Sequence, residues 1–180
     1  MATLEARCLD AFPNWLRSLA DDALELASLL ERTSDGTAPR RAAAALNYLF
    51  KSLDLIPDGL EDLGFIDDAF VMRTAAQAAK VEAESGPAVD ATLERLADEA
   101  ELVREFLGSE YARLVKYVAG LEQGSARGRS VSAILDDASL RAEFVAEVRQ
   151  WAAGYAVPSF SRDERNLVKL RSFLLAKLPA

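Results

Sequence analysis

The chain contains no histidine. With it go the commonest general base, the Ser–His and Cys–His nucleophile pairs, and the imidazole ligand that zinc and other transition metals favour. Its one cysteine, Cys8, cannot close a disulfide within the chain; that agrees with a reducing compartment, and the residue reads as a small buried hydrophobe rather than a reactive thiol. Nine glycines and six prolines in 180 residues are too few for a collagen-like or loop-dominated chain. No stretch approaches the ~18 uninterrupted apolar residues of a membrane span. The opening residues, MATLEARCLD, carry Glu5, Arg7 and Asp10 where a secretory signal needs an apolar core, so a cytoplasmic location is expected. Positive charge is short as well: 21 Lys and Arg against 29 Asp and Glu leave a net charge of −8, which repels polyanions and argues against a nucleic-acid partner.

What is present is a helical pattern. Hydrophobic residues make up 51% and charged residues 28%, and apolar positions recur at spacings of three and four, while β-branched alternation is missing. The expectation is an all-α chain, a single domain over 1–180 built as a bundle of six or seven helices, with no sheet. Proline and glycine punctuate helices near 14–34, 38–52, 67–84, 88–121, 138–154 and 162–178, with a short N-terminal helix ending before Pro13. The longest carries Val89, Leu93, Leu96, Ala100, Val103, Leu107, Tyr111, Leu114, Val118 and Leu121 as one seam, interrupted by Gly108, which reads as a bend, a close crossing or a tolerated weak spot. The last two helices should pack on it, the final one opened by a capping box of Ser161 and Glu164. Residues 122–130, rich in Gly, Ser and Arg, are the candidate flexible loop.

The charge is uneven. Residues 51–90 hold nine acidic and three basic side chains, and 141–180 hold seven basic and four acidic. The acid gathers in NYLFKSLDLIPDGLEDLGFIDDA, residues 47–69, which sets Asp54, Asp58, Glu61, Asp62, Asp67 and Asp68 among apolar neighbours. Crowded like charges raise one another's pKa and destabilise a fold unless something compensates. An EF-hand beginning at Asp54 fails, since Phe65 occupies the twelfth position, where a bidentate Glu is required. An aspartate-rich prenyl-transfer motif beginning at Asp67 fails at Val71. Two readings remain. In the preferred one, Asp67 caps a helix that starts at Asp68, Asp68 meets the positive end of its dipole, Asp54 caps a turn through Pro57, and Gly64 closes that turn in a left-handed conformation. In the alternative, Asp54, Asp58, Asp67 and Asp68 hold Mg²⁺, Mn²⁺ or Ca²⁺, hard cations that take carboxylate oxygens.

The string Tyr48-Leu49-Phe50-Lys51-Ser52-Leu53-Asp54-Leu55-Ile56-Pro57-Asp58, followed by Leu63-Gly64-Phe65-Ile66-Asp67-Asp68-Ala69, resembles the signature of the YkvA-like family, domain of unknown function 1232. Tyr48, Asp54, Pro57, Asp58, Gly64, Asp67 and Asp68 carry the match over about 40 residues. Ser52 and Glu61 stand where the family usually has proline, and Asp62 where an apolar residue is common. The resemblance implies a helical hairpin, about 38–84, around a D-L-I-P-D turn, and it implies no activity. Several relatives are membrane-associated, which the added acid disfavours for this chain.

No phosphate-binding glycine loop, Ser-x-x-Lys pair or Gly-x-Ser-x-Gly elbow is present, so no catalytic residue is assigned and a non-enzymatic reading is preferred. The leading expectation is a cytoplasmic interaction or adaptor protein acting on an unidentified protein partner, with homo-oligomerisation allowed. The alternative is a metal-dependent enzyme or metal-binding module using the acidic loop. A third is peripheral membrane attachment.

Overall fold

The computed structural model describes residues 1–52, 54–82 and 90–180. Helix α1, Leu4–Arg32, is followed by α2, Thr37–Tyr48, and α3, Ile66–Glu82. Then come α4, Ala91–Leu107, and α5, Tyr111–Gly120, and, after a β-hairpin, α6, Val131–Asp136, α7, Ala138–Gly154, and α8, Glu164–Lys177. The chain is mainly α-helical. Its hydrophobic core is continuous and draws on every α-helix, from Cys8 and Phe12 on α1 to Leu170 and Leu174 on α8.

Helix α1 crosses Pro13 without stopping, where the sequence predicts a break. An interior proline costs about 3 kcal/mol. Opposing it, Phe12, Trp15 and Leu16 are buried on the same stretch, each worth about 1.5–3 kcal/mol. The Phe12 and Trp15 rings join a cluster with Phe70 and Phe106 at centroid separations of 5.0 to 6.1 Å. Packing therefore outweighs local propensity at this position.

The expected hairpin is α2 and α3. Four consecutive alanines, Ala42 to Ala45, are all buried in α2 and let neighbouring helices approach closely. Helix α3 packs between α2 and α4. The long helix of 88–121 is two helices: Gly108 takes φ +59 and a 3₁₀ turn, Gly108–Glu110, separates α4 from α5. That φ is accessible to glycine at little cost, and it redirects the chain while the seam from Leu93 to Val118 stays buried. The expected boundaries at Gly86 and Pro87, the tail of the hairpin at 83–84 and the seam residue Val89 lie outside the described residues.

Three further expectations change. Helix α7 packs chiefly on α1 rather than on the long helix, whereas α8 meets α1 and is also tied to α4 and α5, Arg171 donating to the Leu107 carbonyl at 3.3 Å and Arg113 to the Leu175 carbonyl at 3.0 Å. The N-cap of α8 is Asp163, which accepts from the Arg165 N–H at 2.8 Å, in place of the Ser161–Glu164 box. The stretch 122–130 contains a small antiparallel ladder, β1, Ser125–Ala126, and β2, Arg129–Ser130, where no sheet was expected. Its two turn residues, Arg127 and Gly128, have φ of +51 and +75, the signature of a tight hairpin turn matched to strand twist. Ala126 and Arg129 are buried, and the Asn47 side-chain amide donates to the Arg129 carbonyl at 3.1 Å, fastening the hairpin to α2.

Candidate metal centre

Residues 49–52 and 54–65 lie between α2 and α3. The exit is tight: the N–H groups of Leu49, Phe50 and Lys51 donate to carbonyls three residues back. Buried Leu55 and Ile56 then anchor the segment in the core. Tyr48 is the hinge pin, because its hydroxyl accepts from the Leu55 N–H at 2.7 Å and donates to Asp67 Oδ2 at 2.6 Å. The Ile56 N–H reaches the same Asp67 oxygen at 3.2 Å. Asp67 is thus the acceptor that ties the D-L-I-P-D turn to the first turn of α3. It does not cap the helix as expected, since α3 begins one residue earlier, at Ile66.

The turn closes on Gly64, though not through a left-handed glycine. The left-handed positions are Asp62, φ 65, and Phe65, φ 67. Asparagine and aspartate tolerate that region, whereas an aromatic there is strained by about 1–3 kcal/mol and must be held by its surroundings. Phe65 is held against the paired rings of Trp151 and Tyr155, at 6.2 and 5.3 Å. The Asn166 side chain donates to the Asp62 carbonyl at 2.9 Å, so α8 secures the other left-handed residue. Gly64 is required because its Cα rests on the Asp58 backbone: a Cβ there would lie deep inside contact distance of the Asp58 carbonyl oxygen and 3.2 Å from that of Leu60.

This folding gathers the aspartates. Carboxylate oxygens of Asp58, Asp67 and Asp68 all lie within 4.8 Å of one another. Asp67 is 0% and Asp68 2% exposed, and Asp58 is half-buried. Asp54 stands beside the trio, close enough to feel the charges of Asp58 and Asp67. Among the described residues it makes no capping contact: its Oδ1 is buried without a hydrogen-bond partner, and the same holds for Asp58 Oδ1, Asp67 Oδ1 and Asp68 Oδ2. None of the four aspartates is in an ion pair among the described residues. Glu61, which is exposed, and Asp62 stay outside the cluster.

Burial dominates the electrostatics. It pushes Asp68 well above the usual carboxylate range, helped by the charges of Asp67, Asp58 and Asp54. It raises Asp54 to about 7, with Asp58 and Asp67 adding and Lys51 opposing. It also raises Asp67 to about 6 despite the bonds from Tyr48 and Ile56, and it raises Asp58. Bare carboxylates this close must either take up protons or share a cation.

The sign of the pH effect follows. Asp54 and Asp67 start from 3.8 and end near 7 and 6, so between those values the native state binds more protons than the unfolded chain. Stability in the presence of chelator should therefore be greatest near pH 4 and fall as pH rises through about 6 to 7. Glu105 and Glu147 shift downward and act below that window. Urea midpoints in EDTA at pH 4.5 and pH 7.5 provide the check, and a midpoint that is level or higher at pH 7.5 would contradict the assignment.

Residues 41–72 match the family model described as a protein of unknown function, DUF1232. No curated protein and no solved structure matches. The DUF1232 segment runs from the second turn of α2 into α3 and contains Tyr48, Asp54, Asp58, Gly64, Asp67 and Asp68, the pin, the glycine and every clustered carboxylate. The residues that secure it from outside, Trp151, Tyr155 and Asn166, fall beyond the DUF1232 match. Sequence reasoning missed them, since a polar residue 104 positions downstream of its partner leaves no local signal.

Proposed function

We propose that this chain is a divalent-cation-binding helical module, in which Asp58, Asp67 and Asp68 hold one hard cation, Mg²⁺, Mn²⁺ or Ca²⁺, with Asp54 alongside. One observation carries the reading: three convergent carboxylates, two of them fully buried, each keep an oxygen with no hydrogen-bond partner. Two oxygens on opposite sides of a Ca²⁺ at ~2.4 Å would be ~4.8 Å apart, so the cluster has the dimensions of one coordination sphere. Tyr48 and the Ile56 N–H occupy Asp67 Oδ2 and leave Oδ1 for the ion, the outer-shell arrangement that orients metal ligands. The ion would fasten the 54–65 turn to α3 and relieve the repulsion among the aspartates.

The apolar stripes that motivated an adaptor protein are turned inward: Leu93, Val103, Leu114, Leu170 and Leu174 are all core residues. They lend an adaptor role no surface. No described helix is long and apolar enough to cross a membrane.

Calorimetric melts test the proposal. Cation at a hundred times its dissociation constant should stabilise the chain by about 2.7 kcal/mol. At this length that is a rise in Tm of about 5–10 °C over chelator. Asp68→Asn is expected to act in opposite directions, raising Tm in chelator at neutral pH because a neutral amide needs no proton to be buried, while abolishing the response to metal. A wild-type Tm unmoved by all three cations would overturn the reading.

A further inference from the structure

A cation held by Asp58, Asp67 and Asp68 receives three of the six or more oxygens that a hard cation takes. The remaining positions must open away from Asp67 and Asp68, which are 0% and 2% exposed, and towards Asp58, which is half-buried. Asp58 borders a cleft of about 620 Å³ between the exit of α2 and the β1–β2 hairpin, lined also by Phe50, Lys51, Ser52, Ser125 and Arg127. That volume is in the range of small-molecule sites, about 300–1,000 Å³. The lining is mixed, with Leu49, Phe50 and Ala126 beside the polar groups, and it carries two cationic side chains next to the region of strongest negative charge.

Those two cations are positioned rather than loose. Lys51 Nζ donates to the Tyr117 hydroxyl at 3.0 Å and lies 5.0 Å from the centre of that ring, which fixes its stem. The Arg127 guanidinium lies 4.8 Å over the Phe50 ring, with its side chain 62% exposed. Its contact with Glu147 is long, 3.6 Å, because Glu147 is already bonded by Arg129 at 2.6 Å. Most of the Arg127 donor fork therefore faces outward. Arg127 also occupies a left-handed turn position, φ +51, that asparagine, aspartate or glycine would fill with less strain. Stacked on Phe50 and paired at long range with Glu147, the guanidinium is held at the mouth of the cleft with donors left for a ligand.

We propose that this cleft binds a small phosphorylated ligand, whose phosphate bridges the cation at Asp58 and the side chains of Lys51 and Arg127. This rests on the cation reading above. Phosphate suits the arrangement better than a carboxylate does, because its several oxygens can reach a metal ion and two cationic side chains at once, and a planar arginine fork matches it. Mg²⁺ is commonly held by one or two carboxylates together with phosphates of a bound ligand. The overall charge of −8 selects against long polyanions and leaves a small ligand as the occupant.

The test is isothermal titration of inorganic phosphate into the full chain, after Mg²⁺ binding to the same preparation has been measured alone. Phosphate should bind the Mg²⁺-loaded protein at least tenfold more tightly than the chelator-treated protein, and more tightly than acetate or sulfate. Arg127→Gln and Lys51→Gln should each weaken phosphate at least tenfold while shifting Mg²⁺ affinity by less than about threefold. Arg127 is exposed enough that its variant should fold even if the Lys51 variant does not. If Mg²⁺ binds but phosphate does not, or if phosphate binds equally well to Arg127→Gln, the cleft proposal falls and the cation site stands. Absence of Mg²⁺ binding removes both. Acetate binding as tightly as phosphate, with the same arginine dependence, would make the occupant a carboxylate and overturn the phosphate assignment.

Discussion

Arg73→Ala should lower the stability of the chain by about 3–5 kcal/mol, the loss expected when one partner of a buried charge network is removed. Arg73 is 0% exposed and pairs with Glu99 at 2.7 Å and with Asp22 at 3.5 Å. It also donates to the Ala69 carbonyl at 3.1 Å and lies 4.1 Å over the Trp15 ring. Asp22, 2% exposed, is further held by Arg95 and by the Ser18 hydroxyl. Two acids and two arginines thus join α1, α3 and α4 through a neutral cluster. Burial pulls Arg73 down to about 10, and the charges of Glu99 and Asp22 oppose it, so it stays charged under ordinary conditions. Truncation would leave Asp22 buried with half its compensation. At this chain length Tm should fall by about 6–20 °C. The discriminating companion is Asp22→Leu with Arg73→Met, an apolar replacement of the pair that should recover most of the loss. A single variant within 1 kcal/mol of wild type would show that the network is solvated and that the assignment of Arg73 is mistaken.

Gly64→Ala should cost about 3 kcal/mol, the upper end of the usual range for overpacking, because the added methyl meets backbone rather than a movable side chain. The Asp58 carbonyl cannot yield without moving Asp58 itself. The loss should therefore have two parts, a lower urea midpoint and a cation response weakened at least tenfold. Gly59→Ala is the control five residues away: a Cβ there meets nothing within 4 Å, and its effect should stay within about 0.5 kcal/mol. Equal effects at the two glycines would mean that helix or turn propensity, not the close approach at Asp58, explains Gly64.

The spacing of leucine, valine and alanine made the helices legible, because burying one face imposes a three-four rhythm on the sequence. Boundaries decided by tertiary contacts were not legible. Pro13 reads as a breaker until Phe12 and Trp15 are seen packed on Phe70. The hairpin at 125–130 escaped notice because its strands have two residues each and its turn is Arg-Gly rather than Asn-Gly. At the site, the motif picked out the four aspartates, but a sequence does not say which oxygen meets which neighbour. Capping was a sound expectation for Asp67 from its place before an apolar run. What displaced it was Tyr48, whose hydroxyl reaches across the turn and claims the same carboxylate.

The proposed ligands all come from one short stretch, Asp58 to Asp68, whereas the bond from Asn166 to Asp62 spans 104 residues. Closing a loop of about ten residues takes on the order of 10–100 ns and carries little entropy penalty. Contacts as distant as Asn166 form only when the bundle is nearly assembled. A cation taken up by the turn would therefore act early in folding and raise the rate of collapse, while α8 docks late onto the finished turn and slows its reopening. The two ends of the same loop would then govern opposite limbs of the kinetics, the ion setting how fast the chain folds and the last helix how slowly it comes apart.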